Sequence, residues 1–571
     1  MKKMRKIFVA AALLAVSAAA GAQTIHDAIE FSGNHYFGTA RSMAMGNAVT
    51  ALGGDLGSVG INPAGSAVSG YGQFVITPGL TVSSVGSAYS PEGESAYGVT
   101  NGLTRSRMNV PNFGLSMNFG TGRRSGLKTI TLALVSNQTA SYNFASEAFG
   151  TNSRTSKIAE FASAAAGIPE SELANPDFYN GSYSWDILTA YNGGMFGPYG
   201  RDGVYAGVTE AISGDGSYRY LPGPLSQTSV RSRNGNKNDL LINLGLNFSD
   251  RVYVGFNVGM PSARYRYSES FYEAAVNPDQ FVLEFEDSAY PTSFLRGSYN
   301  YQYTADIDGI YAKLGIIVRP IEGLRIGASF QTPTALTISE NWQYGAATAF
   351  DDNYYNDSYT SPVGEFSYLL RTPYRASFGA AYAFGDKGLV SVDYELADYS
   401  VMRFETLHYD RMNAADTFQA ENWVNRNFAG LSHALRVGAE YRLNPAFALR
   451  AGYSVTTSPE RYWTDSEGAT VDANLPKPEI DAYLNRIRNL VTPHYYGDRT
   501  QAVSFGFSYS SAGSFFADAV VRCTRYPSET FAPYYDYDSC DKDGQLLAVQ
   551  APRILSKRSL WNVAVTLGWR F

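Results

Sequence analysis

From about residue 71 onward the chain alternates apolar and non-apolar residues with a period of two, in segment after segment. In 240–248 the apolar set is Leu240, Ile242, Leu244, Leu246 and Phe248, with Asn243, Gly245 and Asn247 between. In 447–455 it is Phe447, Leu449, Ala451, Tyr453 and Val455, against Arg450, Gly452 and Ser454. Period two with one apolar face is a half-buried β-strand. Two architectures accept such strands. A soluble sandwich turns the apolar face to a core and the polar face to water. A membrane barrel turns the apolar face to lipid and the polar face to its lumen.

The spacing of the segments separates the two. Strands are expected near 71–85, 107–119, 127–145, 236–248, 251–273, 298–319, 324–343, 362–384, 387–409, 431–443, 446–457, 499–510, 514–526 and 557–571. Very short turns join pairs of them, around Asp250, Pro320 to Gly323, Gly385-Asp386, Asn444-Pro445 and Ser511 to Gly513. The other links are long, near 86–106, 146–235, 274–297, 344–361, 410–430, 458–498 and 527–556. Short and long links alternating over an even number of strands is the pattern of an outer-membrane barrel, with short periplasmic turns and long external loops. The expected fold class is therefore all-β, a transmembrane antiparallel β-barrel of about fourteen strands. Segments 146–235 and 458–498 are its longest loops.

The last segment, Leu560 to Phe571, puts Trp561, Val563, Val565, Leu567, Trp569 and Phe571 on alternate positions. It reads as the closing strand, since a sheet in lipid leaves no edge open. Trp561 and Trp569 suit the two interfacial girdles. A terminal aromatic on such a strand resembles the signal read by the outer-membrane barrel assembly machinery, an expected partner beside outer-membrane lipid.

Residues 1–22 carry Lys2, Lys3, Arg5 and Lys6, then an apolar stretch from Ile7 to Ala20 and a small-residue site at Ala20-Gly21-Ala22. This is a secretory signal peptide, too short in its apolar part to span a membrane. Losing those four cations takes the formal charge from −7 to −11. An exported acidic chain is a poor nucleic-acid binder. Charged residues make up only 17% of the chain against an average of about 25%, while 42 residues are Tyr, as aromatic surface in a membrane requires. Cys523 and Cys540 are candidates for a disulfide in an oxidising compartment.

Residues 23–70 precede the first strand and lack clean alternation. A fourteen-strand barrel is wide enough to conduct unless filled, so this segment is expected inside the lumen as a plug. Residues 38–67, GTARSMAMGNAVTALGGDLGSVGINPAGSA, carry Ala40-Arg41-Ser42, Met45-Gly46-Asn47-Ala48, Asp55 and Asn62-Pro63-Ala64-Gly65. Together these resemble the N-terminal hatch of the long-chain fatty acid transporter (FadL/TodX) family of outer-membrane proteins. The resemblance implies passive uptake of a hydrophobic small molecule such as a long-chain fatty acid. External loops would capture it, the hatch would shift, and the ligand would leave through a gap in the barrel wall into lipid. It implies a monomer, a Gram-negative outer-membrane location and no cofactor.

Two loop segments have helical periodicity. Lys157 to Ile168 stripes Ile158, Phe161, Ala165 and Ile168, and Pro478 to Val491 stripes Ile480, Tyr483, Leu484, Ile487 and Val491, with Arg486 alongside. Phe161, Ile480, Tyr483, Leu484, Ile487 and Arg486 are the candidate ligand contacts, against the plainer expectation that each stripe packs on its own loops. Charges on the polar strand faces (Lys313, Arg325, Asp393, Glu395, Arg436, Glu440, Arg442 and Arg450) are expected to pair with one another or with the plug. Five scattered His and no HExxH, CxxC or Gly-x-Ser-x-Gly element point away from an enzyme or a resident metal. The Asp536-to-Asp543 run lacks calcium-loop spacing, because Cys540 falls at a ligand position. The rival functions are protein secretion or surface binding, as an adhesin or haem binder, on the same barrel.

Overall fold

The computed structural model describes residues 24–94, 96–214, 216–284, 290–407, 418–464, 470–471, 492–547 and 550–571. Fourteen antiparallel strands form one closed wall. They are β1 (Gln73–Ser90), β2 (Asn101–Gly120), β3 (Leu127–Ser141, resumed as Phe144–Asn152), β4 (Leu225–Phe248), β5 (Val252–Ala275), β6 (Thr292–Val318) and β7 (Leu324–Gln331, resumed as Ala335–Phe350). Then come β8 (Gly364–Arg371, resumed as Arg375–Ala383), β9 (Gly388–Asp398, resumed as Arg403–Thr406), β10 (Leu431–Arg442), β11 (Phe447–Thr457), β12 (Arg499–Ser510), β13 (Phe515–Arg525) and β14 (Arg553–Arg570). Each pairs with its neighbours in sequence. β14 closes on β1, from Gln73↔Arg570 to Ser90↔Arg553, so no edge is left at the seam.

The expected strand number and turn ends hold. The outer ends run further than alternation suggests: β4 begins at Leu225 and the resumed β3 ends at Asn152. Above the lipid both faces of a strand meet water or protein, so the polarity that gives a period-two signal is absent there. In 225–235 (LSQTSVRSRNG) no apolar row exists. Two of the interruptions carry proline, at Pro333 in β7 and Pro373 in β8, where the ladder loses a donor. The two breaks hydrogen-bond to each other through Thr372 N–H to the Thr334 carbonyl at 3.0 Å.

Outward rows are apolar over a limited height. On β4 they run from Leu240 to Phe248, nine residues, matching the ~9–11 that a tilted strand needs to cross a bilayer; Leu240, Ile242 and Leu244 are all exposed. Trp561 and Trp569 are 45% and 41% exposed on β14, one near each border of this band. Trp569 packs on Phe515 and Phe74. Above the band, residues 153–224 build an external lobe with helices α3 (Lys157–Ala164), α4 (Glu170–Ala174) and α5 (Trp185–Asn192). Its core joins Ile158, Phe161, Leu173, Leu188 and Phe196 to Phe294 and Phe350 at the strand tops. Among the described residues no helix is long and apolar enough to cross a membrane.

Candidate functional site

Residues 24–70 fill the lumen. Helix α1 (Ile25–Ser32) starts on a capping box between Thr24 and Asp27, and lays Ala28 and Phe31 against Tyr142, Tyr265, Ile338 and Tyr368 of the wall. The chain then descends through α2 (Ala40–Ala44) and two 3-10 turns, Leu56–Gly60 and Pro63–Val68, to the short-turn end. Asn62 caps the second turn: its Oδ1 accepts from Ala64 N–H at 3.1 Å. Its Nδ2 donates to the Thr50 carbonyl at 2.7 Å and to Ile316 and Ala328 of the wall at 3.2 and 3.4 Å. Pro63 and Ala64 lie where a Cβ at Gly255 would be, and Asn62 where one at Gly315 would be. The inward-facing glycines Gly245, Gly255, Gly315, Gly327, Gly438 and Gly452 thus form a belt on which the plug backbone rests.

Charges complete the seat. Lys237 donates to the Phe31 carbonyl at 3.0 Å, Arg375 to Ser32 at 2.7 Å, Lys313 to Gly60 at 2.7 Å and Arg522 to Tyr36 at 3.2 Å; Arg325 holds the Leu52 carbonyl. Asp393 accepts from Thr50 N–H at 2.7 Å. The remaining lumen charges pair with one another: Glu395 with Arg375 and Arg436 at 3.2 and 3.1 Å, and Glu440 with Arg450 at 2.8 Å and with Arg41 and Arg442 at 3.5 Å. These charges have the expected structural role. Two voids between plug and wall, one beside Tyr36 and Phe37 and one beside Phe31 and Ser32, measure about 10 Å³ each, room for about one water. Nothing larger than water passes straight down through them.

Above the plug lies a cavity of about 1100 Å³. Tyr142, Tyr265, Tyr267, Tyr301 and Tyr303 line its wall, with Arg231, Arg233, Arg558 and Glu529 beside them, and α1 with His35 forms the floor; Arg233 is the cross-strand partner of Tyr267. Glu529 binds Arg231 at 2.9 Å and Arg233 at 2.6 Å. Arg231 also stacks 3.9 Å from the Phe531 ring. Burial and the cations Arg522, Arg558, Lys237 and Arg375 around it push the His35 imidazole well below its usual range, to about 3, and its ring meets Tyr526 edge-on.

The wall is broken next to this cavity. β2 and β3 pair from Gly120↔Thr129 to Asn112↔Asn137 and no further. Beyond that point Asn101 to Asn109 pair with β1 alone, and Phe144–Asn152 pairs with β4. β3 itself is interrupted at Tyr142-Asn143, opposite Gly235 with φ +138°, a conformation open to glycine. Side chains span the opening: Asn109 Nδ2 to Gln138 Oε1 at 2.6 Å and Asn143 Nδ2 to the Arg105 carbonyl at 3.3 Å. Arg558 reaches from β14 to cap the carbonyls of Ser141 and Asn143 at 3.1 and 2.8 Å. The plug supplies donors to the freed edge, His35 N–H to Thr139 at 2.7 Å and Phe37 N–H to Gln138 at 2.8 Å. Asn137 is level with Asp239, one residue above Leu240, so the break opens at the outer border of the apolar band. Irregular backbone is tolerated there and not within hydrocarbon.

Of the residues singled out in the sequence, Asn62, Pro63, Ala64 and Gly65 are all in the plug floor. Phe161 is 2% exposed, packed on Tyr299 in the lobe core and away from the cavity. Its helix is present, and its whole apolar stripe is consumed by the lobe. Ile480, Tyr483, Leu484, Arg486 and Ile487 lie outside the described residues. The expected disulfide is absent: Cys523 and Cys540 are free thiols. Cys523 sits on the outward row of β13 beside Val503 and Trp561, while Cys540 pairs with Tyr220 in a small external sheet. No group of His, Cys, Asp and Glu among the described residues has the arrangement of a metal site. The β2–β3 break, the Arg558 bridge and the glycine belt went unread in the sequence. The polar run 136–143 (SNQTASYN) inside an otherwise apolar strand and the glycines recurring on polar faces were their signals.

Fold and site together define a class: a fourteen-strand outer-membrane-type barrel, stoppered below and opened sideways above. No family model and no curated protein matches the chain. Among solved structures it is similar to a Pseudomonas aeruginosa FadL homologue, at 11% identity and a TM-score of 0.43, over 94% of this chain and 97% of that one. It is similar also to the P. putida toluene transporter TodX, at 12% identity, TM-score 0.42, over 93% and 98%. A third is the Ralstonia pickettii toluene transporter TbuX, at 13% identity, TM-score 0.40, over 94% and 98%.

Proposed function

We propose that this protein is a passive channel for uptake of hydrophobic compounds across the outer membrane of a Gram-negative cell. A solute of the long-chain fatty acid type enters the tyrosine-lined cavity from outside and leaves sideways between β2 and β3. The observation that carries this reading is the break in the wall beside a 1100 Å³ cavity whose floor is closed by the plug. A channel for polar solutes needs an open bore; a lateral opening serves a solute whose destination is lipid. The sugar layer outside such a membrane resists apolar solutes, and each methylene moved out of water is worth about 0.8 kcal/mol, so passage from water to lipid needs no other driving force. The plug takes part because His35 and Phe37 bond the edge of the opening: displacing that segment frees β3 to move. The reading has the chain working as a monomer, placed by the barrel assembly machinery, with no cofactor and no catalysis.

The test is to staple the opening. In a Cys523→Ser, Cys540→Ser background, Asn109→Cys and Gln138→Cys are joined by a short bis-maleimide, and uptake of decanol and decanoate into proteoliposomes is followed. Stapled protein should lose at least ten-fold in flux, with the unreacted double variant near wild type. Equal flux with and without the staple rejects the lateral route.

A further inference from the structure

The rim of the opening is cationic, and the function proposed above does not require that. Arg105 and Arg107 lie on β2 opposite Ser83 and Thr81, which are buried inward-facing residues of β1, so both arginines leave the backbone on the lumen side. The Arg107 guanidinium nevertheless donates to Asn234 Oδ1. Asn234 belongs to the outward row of β4, since Arg231 and Lys237, at odd positions of the same strand, are buried inward. Arg107 therefore passes through the break, from lumen to outer surface. Arg266 is the cross-strand partner of Asn234 and is exposed on the same outward row. Among the described residues neither Arg105, Arg107 nor Arg266 makes an ion pair, whereas the neighbouring Arg264 is paired with Asp306.

We infer that Arg107, with Arg105 inside and Arg266 outside it, forms an oxyanion subsite in the lateral opening, which passes the charged end of an amphipathic organic acid. This deepens the proposed function and rests on it. A guanidinium presents a planar pair of donors that matches a carboxylate. At the membrane border its field is far less screened than in bulk water. The step has a physical need: an anion leaving the polar cavity for the lipid border loses solvation on the way, and three arginines along a single path offset that loss at each point. The bond to Asn234 gives the cation one neutral amide oxygen, which is weaker than a bidentate ion pair with a carboxylate, so a carboxylate displaces it and the side chain swings clear. Arg107 is then both a latch on the gap and the group that releases it.

The test compares decanoate with decanol, equal in chain length and differing in charge, using full-length protein in phosphatidylcholine vesicles. Arg107→Ala should lower protein-dependent decanoate flux about ten-fold and leave decanol flux unchanged or raised; Arg107→Lys should recover part of the decanoate flux. Heat-modifiable migration of each variant establishes that the barrel is folded. An oxyanion at this place can also come from a neighbouring lipid phosphate. Adding phosphatidylglycerol should then inhibit decanoate flux through wild type and not through Arg107→Ala; if it abolishes decanoate flux altogether, the subsite belongs to lipid and the solute assignment falls. Equal loss of both solutes, or no loss of either, overturns the subsite while leaving the channel standing. If wild type moves neither solute, the channel reading fails first and takes the subsite with it.

Discussion

Asn62 fills four hydrogen-bonding roles with one amide, and its oxygen and nitrogen face opposite demands. Its oxygen meets an N–H, while its nitrogen meets three carbonyls. Asn62→Ala leaves the Thr50 carbonyl and the Ala64 N–H without this partner at a fully buried site, an expected cost of about 1–3 kcal/mol. Asn62→Asp keeps the shape and places a carboxylate oxygen against the same three carbonyls, so it should be the worse of the two. Limited proteolysis of residues 24–70 in detergent checks the order wild type, Ala, Asp; Asp no worse than Ala would mean the amide nitrogen is not the holding group. A second residue carries a pH signature. In the external lobe burial lifts the Glu160 carboxyl from 4.5 to about 7, against the pull of Lys157. The folded lobe thus holds this proton more tightly than the unfolded segment does. The sign follows from linkage: this contribution to lobe stability is fully present below the unfolded value of 4.5 and is lost as pH rises through about 7. Hydrogen-exchange protection factors over α3 and α5, taken relative to the intrinsic rate at each pH, should rise between pH 8 and pH 5.5, and Glu160→Gln should flatten that rise.

At the scale of elements, legibility followed the solvent. Within the lipid band each strand has one apolar and one polar face, and there 240–248 and 447–455 declared themselves by alternation alone. Above the band that contrast vanishes, so the outer half of β4 and the resumed β3 gave no period and were read as loop. The plug was legible as a segment, because residues 23–70 lack any strand pattern and a wide barrel needs filling. Its seat was not, because a glycine on an inward face looks like any small residue until the backbone resting on it is known. The helix over Lys157 to Ile168 was legible too, but an apolar stripe does not say what covers it; the lobe covered it with its own chain. The β3 interruption is the most consequential element to have been missed. It stands because Arg558 supplies donors for two carbonyls that the ladder abandons. Arg558→Met keeps the length and removes those donors, so amides around 138–144 should exchange faster and the heat-modifiability midpoint should fall, by an amount set by about 1–3 kcal/mol per unsatisfied carbonyl. No change in either would show that water serves as well as the guanidinium.

For the molecule as a whole, wall and plug have separate duties, and removing the plug tells them apart. The wall is closed by β14 on β1 through hydrogen bonds that owe nothing to residues 24–70, so a variant lacking those residues, fused directly to its signal segment, should still form a barrel. Its bore should conduct, since fourteen strands enclose more space than inward side chains fill, whereas in the intact protein the voids between plug and wall beside Tyr36 and beside Phe31 are water-sized. The exposed bore should also favour anions. Lys237, Lys313, Arg325, Arg375 and Arg522 spend donors on plug carbonyls, and deletion frees donors on all five, while the carboxylates Asp393, Glu395 and Glu440 lose Thr50, Tyr36 and Arg41. Planar-bilayer recording should therefore show a nearly silent intact protein and, for the deletion, a large steady conductance whose reversal potential in a salt gradient indicates chloride over potassium. Cation preference would mean that the lumen carboxylates dominate the field, and a silent deletion variant would mean that the external lobe, rather than the plug, is the stopper.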